Sequence, residues 1–342
     1  MSTRIHTIDR HPDTVLILKR PTTDFAIWER LGDEIDSPED DVEIGDIKAE
    51  SPEIEIHYLV SSRHLMLASP RFYTMLADSN WVEGHRSDDG RYHINVEDWD
   101  EQALLVILNI FHLRHKEVPR ELELEVLAKI AVLVDYYECA EVLELFSDMW
   151  IEKLRKDVMV PLIYCRDLML WLCVALVFRL SEEFKTATLV AIRWAPGPIG
   201  SLGLPISPST VHKLDRRRNT AIELIMATLD LWLENYQSPE YKCRVTKYNF
   251  ECGAYFLGAL TKGMYNTQLY PLRHVAPFEG LSFEALYAKV RGIVAMPRSL
   301  VETWDHSCSL EETVGKAVED LAQIDGLAID QCSGFEDGDG LA

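Results

Sequence analysis

No apolar run in this chain is long enough to cross a bilayer. The longest, residues 168–178 (LMLWLCVALVF), has 11 residues, against the roughly 20 that a helical span requires. It is therefore expected to be a core helix. Positive charge is also scarce: 34 Lys and Arg against 56 Asp and Glu give a formal charge of −22. A field of that sign repels phosphate backbones and anionic lipid, which argues against nucleic acid and membranes as partners. The one dense basic cluster, Lys213 with Arg216, Arg217 and Arg218, is expected to be a solvated helix face. Phosphate-cradling glycine patterns are missing. Gly197, Gly200 and Gly203 do not form G-x-G-x-x-G, and neither a P-loop nor a kinase motif occurs. There is no G-x-S-x-G elbow for a nucleophilic serine and no H-E-x-x-H for a metal. The first residues, MSTRIHTIDRHPD, carry no apolar stretch of the secretory kind. The seven cysteines are odd in number, widely spaced and set among apolar neighbours. Together these features predict reduced, buried thiols in an intracellular protein of the cytoplasm and/or nucleus.

What is present is an ordinary globular composition, 47% apolar and 26% charged over 342 residues. That length exceeds what one core comfortably fills, so two domains are expected. Residues 14–18, TVLIL, read as a buried strand. From Asp33 to Glu55 there are eleven Asp and Glu against the single Lys48. Such a segment cannot bury enough surface to offset its chain entropy, and a disordered acidic insertion is expected at about 30–52. IEIHYLV (54–60) and YHINV (92–96) alternate with the period of two that marks strands. A helix is expected from Asp98, with Glu101 completing a capping box, and its apolar face is Ala103, Leu104, Ile107, Leu108 and Phe111. Helical spacing recurs over 122–135 and again through Val142, Leu143, Phe146, Met149 and Trp150. The second half reads as almost wholly helical: about 161–180, a helix opened by Ser181, 209–236, 248–265, one capped by Ser282, and a last one opened by Ser309 with Glu312. The Pro- and Gly-rich stretch 196–208 must be a loop.

Three constellations could carry chemistry. Residues 60–72, VSSRHLMLASPRF, crowd Ser61, Ser62, Arg63 and His64 together. A serine nucleophile would need a base and an oxyanion hole, and no glycines for the latter lie nearby. Helix opening explains the pattern better. Ser61 or Ser62 would cap a first short helix, Ser69 would cap a second with Pro70 at its first position, and Leu65, Leu67 and Phe72 would enter the core. His112 and His115 share a helix face, yet two histidines do not fill a metal site, and positive charge at a helix C-terminus is the simpler role. Cys243, Cys252, His306 and Cys308 are the remaining metal candidates. Cys243 and Cys252 are nine residues apart rather than two to four, so buried structural thiols are expected, with no metal and no cofactor.

The succession strand, loop, strand, VSSRHLMLASPRFYTML, strand, DWD-helix and helix pair resembles the BTB/POZ domain. The likeness is most specific at LASPRF (67–72). DWDEQALLVILNIFH and LEVLAKIAVLVDYYECAEVLELFSDMW look like the family's later helices. The version is similar to one common in filamentous fungi, and YNFECGAYFLGALTK and APFEGLSF look like parts of the helical C-terminal region found there. Two features depart from the family pattern: the slot at the start of the first short helix where many relatives carry histidine holds Ser61, and the acidic insertion follows the first strand. The resemblance implies an α+β BTB/POZ domain at 12–155 behind an N-terminal arm (1–11). An all-α domain at 156–329 and a disordered tail at 330–342 would follow. It also implies a non-catalytic adaptor that binds proteins, often as a homodimer. Some relatives are substrate adaptors for the cullin scaffold of ubiquitin ligases. For that role the resemblance points to Phe111, His112, Arg114, His115, Lys116 and Glu117 as the partner surface. The remaining alternative is an enzyme, a metal-dependent hydrolase built on the Cys/His set of the second half.

Overall fold

The structure is a computed structural model. It describes residues 2–22, 24–28, 54–77, 81–270, 275–295 and 308–332. The expected acidic insertion at 30–52, His306, and residues 333–342 of the expected tail lie outside the described residues. The chain is mainly helical with a small sheet near its N-terminus, and it divides into two compact units.

The first unit comprises Met1–Val160, Cys165–Glu183 and Leu202–Ile206. Its sheet holds β1 (Ser2–Thr7), β2 (Thr14–Lys19), β3 (Ile54–Val60) and β4 (Tyr92–Glu97), in the order β1-β3-β2-β4. β2 and β3 are antiparallel with Thr14 opposite Val60, β4 runs parallel to β2, and β1 runs parallel to β3. Alternation decides the faces: Ile56, Tyr58 and Val60 are fully buried while their neighbours are half-covered, as the two-residue period requires. Strand β1 lies within the expected N-terminal arm (1–11), where no strand was expected. Its pattern, STRIHT, is weakly apolar, and it is held by the ladder to β3 and by Glu101, which accepts from Arg4 at 2.7 Å and meets His6 at 3.0 Å.

Two short helices, α1 (Ser62–Ala68) and α2 (Pro70–Ala77), lie between β3 and β4, and α3 (Glu101–Phe111), α4 (Leu124–Tyr137), α5 (Ala140–Asp157) and α6 (Arg166–Val177) follow β4. α3 starts two residues later than expected. Asp98 takes a left-handed φ of 61°, and the cap is Asp100, whose carboxylate accepts from the Ala103 N–H at 2.9 Å. Glu101 is thereby freed for β1. In α1, Leu65 and Ala68 are buried but Leu67 is 87% exposed, because residues two apart on a helix face nearly opposite ways. α6, read from the sequence as part of the second half, belongs to the first unit and packs chiefly on α4. Its residues Leu168 to Ala175 are all buried, which accounts for its uninterrupted apolar run. Among the described residues no helix is long and apolar enough to cross a membrane.

The second unit comprises Pro161–Tyr164, Phe184–Ser201 and Ser207–Ala342. It contains α7 (Ser181–Trp194) from Phe184 onward, α8 (Pro208–Gln237), α9 (Asn249–Asn266) and α10 (Phe283–Val294). A π-turn at Glu311–Gly315 then leads into α11 (Lys316–Leu321). Serine caps set these starts. Ser207 accepts from the Thr210 N–H with Pro208 at the first position, Ser282 accepts from Ala285, and Ser309 accepts from Glu312. The core joins Ile222, Ile225 and Leu229 of α8 to Phe256 and Leu260 of α9 and Val290 of α10. Gly263 lets α9 and α10 close in, since a Cβ there would lie 2.6 Å from a methyl of Ile293. Residues 329–331, at the start of the expected tail, form a 3-10 turn.

Candidate functional sites

The start of α1 is assembled by tertiary contacts. Ser61 holds the N-cap position with extended backbone, but its hydroxyl makes no capping bond. The work is done from two other segments. Asp13, just before β2, accepts the Ser62 N–H through Oδ1 at 2.7 Å and the Ser62 hydroxyl through Oδ2 at 2.6 Å. His112, just after α3, accepts the Ser61 N–H through Nε2 at 2.9 Å and donates from Nδ1 to the Leu108 carbonyl at 2.8 Å. Burial works against charge on Asp13, but the Ser62 hydroxyl and N–H, Thr14 and Arg86 outweigh it and hold the carboxyl below its usual range. At the second start Ser69 does cap: its hydroxyl accepts from the Phe72 N–H at 3.2 Å while donating to the Tyr137 carbonyl at 2.6 Å. Pro70 opens α2, and Phe72 stacks on Tyr137 with ring centroids 4.4 Å apart. Ser61, Ser62, Ser69, Pro70 and Phe72 thus all lie in the first turns or caps of the two short helices.

His64 stacks on His112 at 4.9 Å between centroids, with Asp9 close by. This trio has the residue types of a metal site. Both nitrogens of His112 are committed, however, one to a backbone donor and one to a backbone acceptor, so no lone pair remains for an ion. The same geometry fixes a pH response. Burial, opposed by the bond to Leu108, lowers the pKa of His112. The unfolded chain therefore takes up this proton first, and the proton would face the Ser61 N–H. The contribution is whole above the ordinary histidine pKa of ~6.5 and is lost as pH falls from there through the folded value. Thermal melts from pH 7.5 to 5.5 are expected to show the first unit weakening, with the slope reduced in His112→Gln. An unchanged slope would count against this assignment.

The segment after α3 is only partly a surface. Phe111 is 4% exposed, because the last turn of α3 faces the core, so it is not a contact residue. His112 is engaged as described. Arg114 is half-buried and donates to the Thr7 carbonyl at 2.8 Å, tying the turn to β1. His115, Lys116 and Glu117 are exposed, with the His115 ring edge-on to Phe146. The residue that composition alone did not single out is Leu113, 70% exposed on a left-handed turn with φ of 57°. An exposed leucine held in a strained turn could have been suspected only from the geometry.

Comparison with known proteins finds no matching family model, no matching curated protein and no matching solved structure.

In the second unit the basic cluster is a solvated face only in part: Lys213 and Arg216 are exposed. Arg218 is fully buried and gives its guanidinium to the carbonyls of Ala195, Pro277, Phe278 and Leu281 at 2.8–2.9 Å. Arg217 reaches the Asp325 and Gly326 carbonyls at 3.3 and 3.2 Å, and Lys213 donates to the Gln331 carbonyl. The expected solvated face fails at Arg218 and in part at Arg217, because the chain's own backbone supplies the acceptors. The cysteines set apart by their spacing are also brought together. Cys243, Cys252 and Cys308 lie with all three sulfurs within 4.8 Å of one another. Burial pushes the Cys252 thiol up to about 12.

Proposed function

We propose that the first unit is a non-catalytic protein–protein interaction module of the BTB/POZ type, through which the chain self-associates or recruits a partner. One observation carries the reading. From Thr14 to Asp157 the elements succeed one another as the antiparallel pair β2 and β3, two short helices split at Ser69, β4 returning parallel to β2, and then α3, α4 and α5. This is the succession the resemblance at LASPRF implies, and it supports a recognition scaffold more than a catalytic one. The second reading, a cullin adaptor, is favoured by the exposed Leu113 beside His115, Lys116 and Glu117.

Light scattering on the full chain across the micromolar range tests the first reading, with a dimer mass as the expected result. Capture of a purified cullin, lost in Leu113→Asp and kept in His6→Ala, would support the second. A chain that stays monomeric at every concentration, binds no cullin and co-purifies with no protein from its native cell would sink both.

A further inference from the structure

The cysteine group belongs to the second unit and plays no part in the interaction reading. Cys243 lies in the loop after α8, Cys252 in the first turn of α9, and Cys308 just before the Ser309 cap. Cys243 Sγ is 3.4 Å from Cys252 Sγ and 3.7 Å from Cys308 Sγ. These gaps are far too long for disulfides, whose sulfurs lie about 2.05 Å apart. A tetrahedral zinc with Zn–S bonds of about 2.3 Å holds its sulfurs about 3.8 Å apart. We propose that Cys243, Cys252 and Cys308 form a three-thiolate site for a thiophilic divalent cation, Zn2+ first among them, that staples the 243–249 loop, α9 and the 308–312 segment together.

The surroundings of the sulfurs support it independently of their spacing. A buried thiol acting as a small hydrophobe needs no donors, whereas a metal thiolate does. The Val245 N–H points at Cys243 Sγ at 3.3 Å, and the Arg244 N–H bonds the sulfur of Cys308. The loop carrying these donors is fixed by Cys243 N–H donating to Asn249 Oδ1 at 2.8 Å. The Arg244 guanidinium, paired with Glu312 at 2.9 Å, keeps a positive charge near the group. Loading releases the three thiol protons and leaves a complex of charge −1, which the two N–H groups and Arg244 offset. Cys243 and Cys252 are buried and Cys308 is partly exposed; water or an added donor would complete the tetrahedron.

The test uses the full chain, reduced and stripped of metal, titrated with Co2+ alone and then with Zn2+. Thiolate-to-cobalt charge-transfer absorption and strong visible bands of tetrahedral Co2+, saturating at about one equivalent and bleached by Zn2+, are expected. Cys308→Ser is expected to weaken uptake at least tenfold, and Cys332→Ser to leave it unchanged. Zinc removal is expected to lower the melting temperature. The wild-type titration decides even where Cys308→Ser does not fold. A folded, reduced wild-type chain that gives no such bands and takes up no Zn2+ overturns the proposal. So does a Cys243–Cys252 disulfide in protein isolated with its thiols trapped.

Discussion

Replacing Arg218 by Met is expected to destabilise the second unit by roughly 3–5 kcal/mol, the scale on which removing one partner of a buried charged network acts. The reason lies in its partners. The side chain is fully buried, yet it serves main-chain oxygens: Ala195 after α7, and Pro277, Phe278 and Leu281 before α10. These carbonyls sit in irregular backbone; Phe278 also accepts from the Leu281 N–H at 3.2 Å, and each of the others left unpaired costs on the order of 1–3 kcal/mol. Burial lowers the arginine's pKa, with Asp215 and Tyr164 acting in the opposite sense. The site therefore keeps its charge because a planar group with five donors matches the four carbonyls and the Asn219 side-chain oxygen, at 2.9 Å. Arg218→Lys is expected to lose most of the stability as well, since one ammonium cannot span the carbonyls. The exposed neighbour substituted as Arg216→Ala is expected to stay within about 0.5 kcal/mol of wild type. Denaturant unfolding of the three variants checks the order. Equal, small losses at both positions would show that Arg218 is replaceable packing.

The second large effect is expected at Asp13. Asp13→Ala removes the acceptor of both Ser62 donors in one step. Hydrogen bonds to a charged group contribute about 1.5–3 kcal/mol each, so a loss of roughly 3 kcal/mol is expected. Ser61→Ala is expected to cost no more than about 0.5 kcal/mol, because the Ser61 hydroxyl makes no capping bond. Since Asp13 is held below its usual range, its contribution is present above the unfolded carboxyl pKa of about 4. It is lost as pH falls through the folded value. Asp13→Asn is expected to fall between, keeping an acceptor for the N–H without the charge. If Ser61→Ala costs as much as Asp13→Ala, the serine hydroxyl is the cap after all.

Both sites depend on contacts that no single segment of the sequence encodes. Helices with a strong period or a serine cap were legible: Ser282 and Ser309 cap the helices they were expected to open, and Pro70 stands at the head of α2. Local chemistry decides such features, because cap and helix lie within four residues of each other. The helix at 98–111 was legible but its cap was misplaced, since Asp98 and Asp100 both suit the role. Only the backbone conformation at Asp98, φ of 61°, separates them. β1 was missed because its stability comes from β3 and Glu101 rather than from its own pattern.

For this protein the sequence by itself determined the absence of a long apolar span, the strands at 14–18, 54–60 and 92–96, and most of the helices. Each is a property of composition or of periodicity within one segment. The tertiary structure alone decided which polar groups meet. Asp13 and His112 at the start of α1 lie 49 and 51 residues from the N–H groups they accept. Arg218 lies about 60 residues from three of its carbonyls, and Cys243 lies 65 residues from Cys308. Hydrogen bonds and sulfur contacts act over about 3–4 Å, and nothing in a linear spacing reports which distant residues folding will bring within that reach.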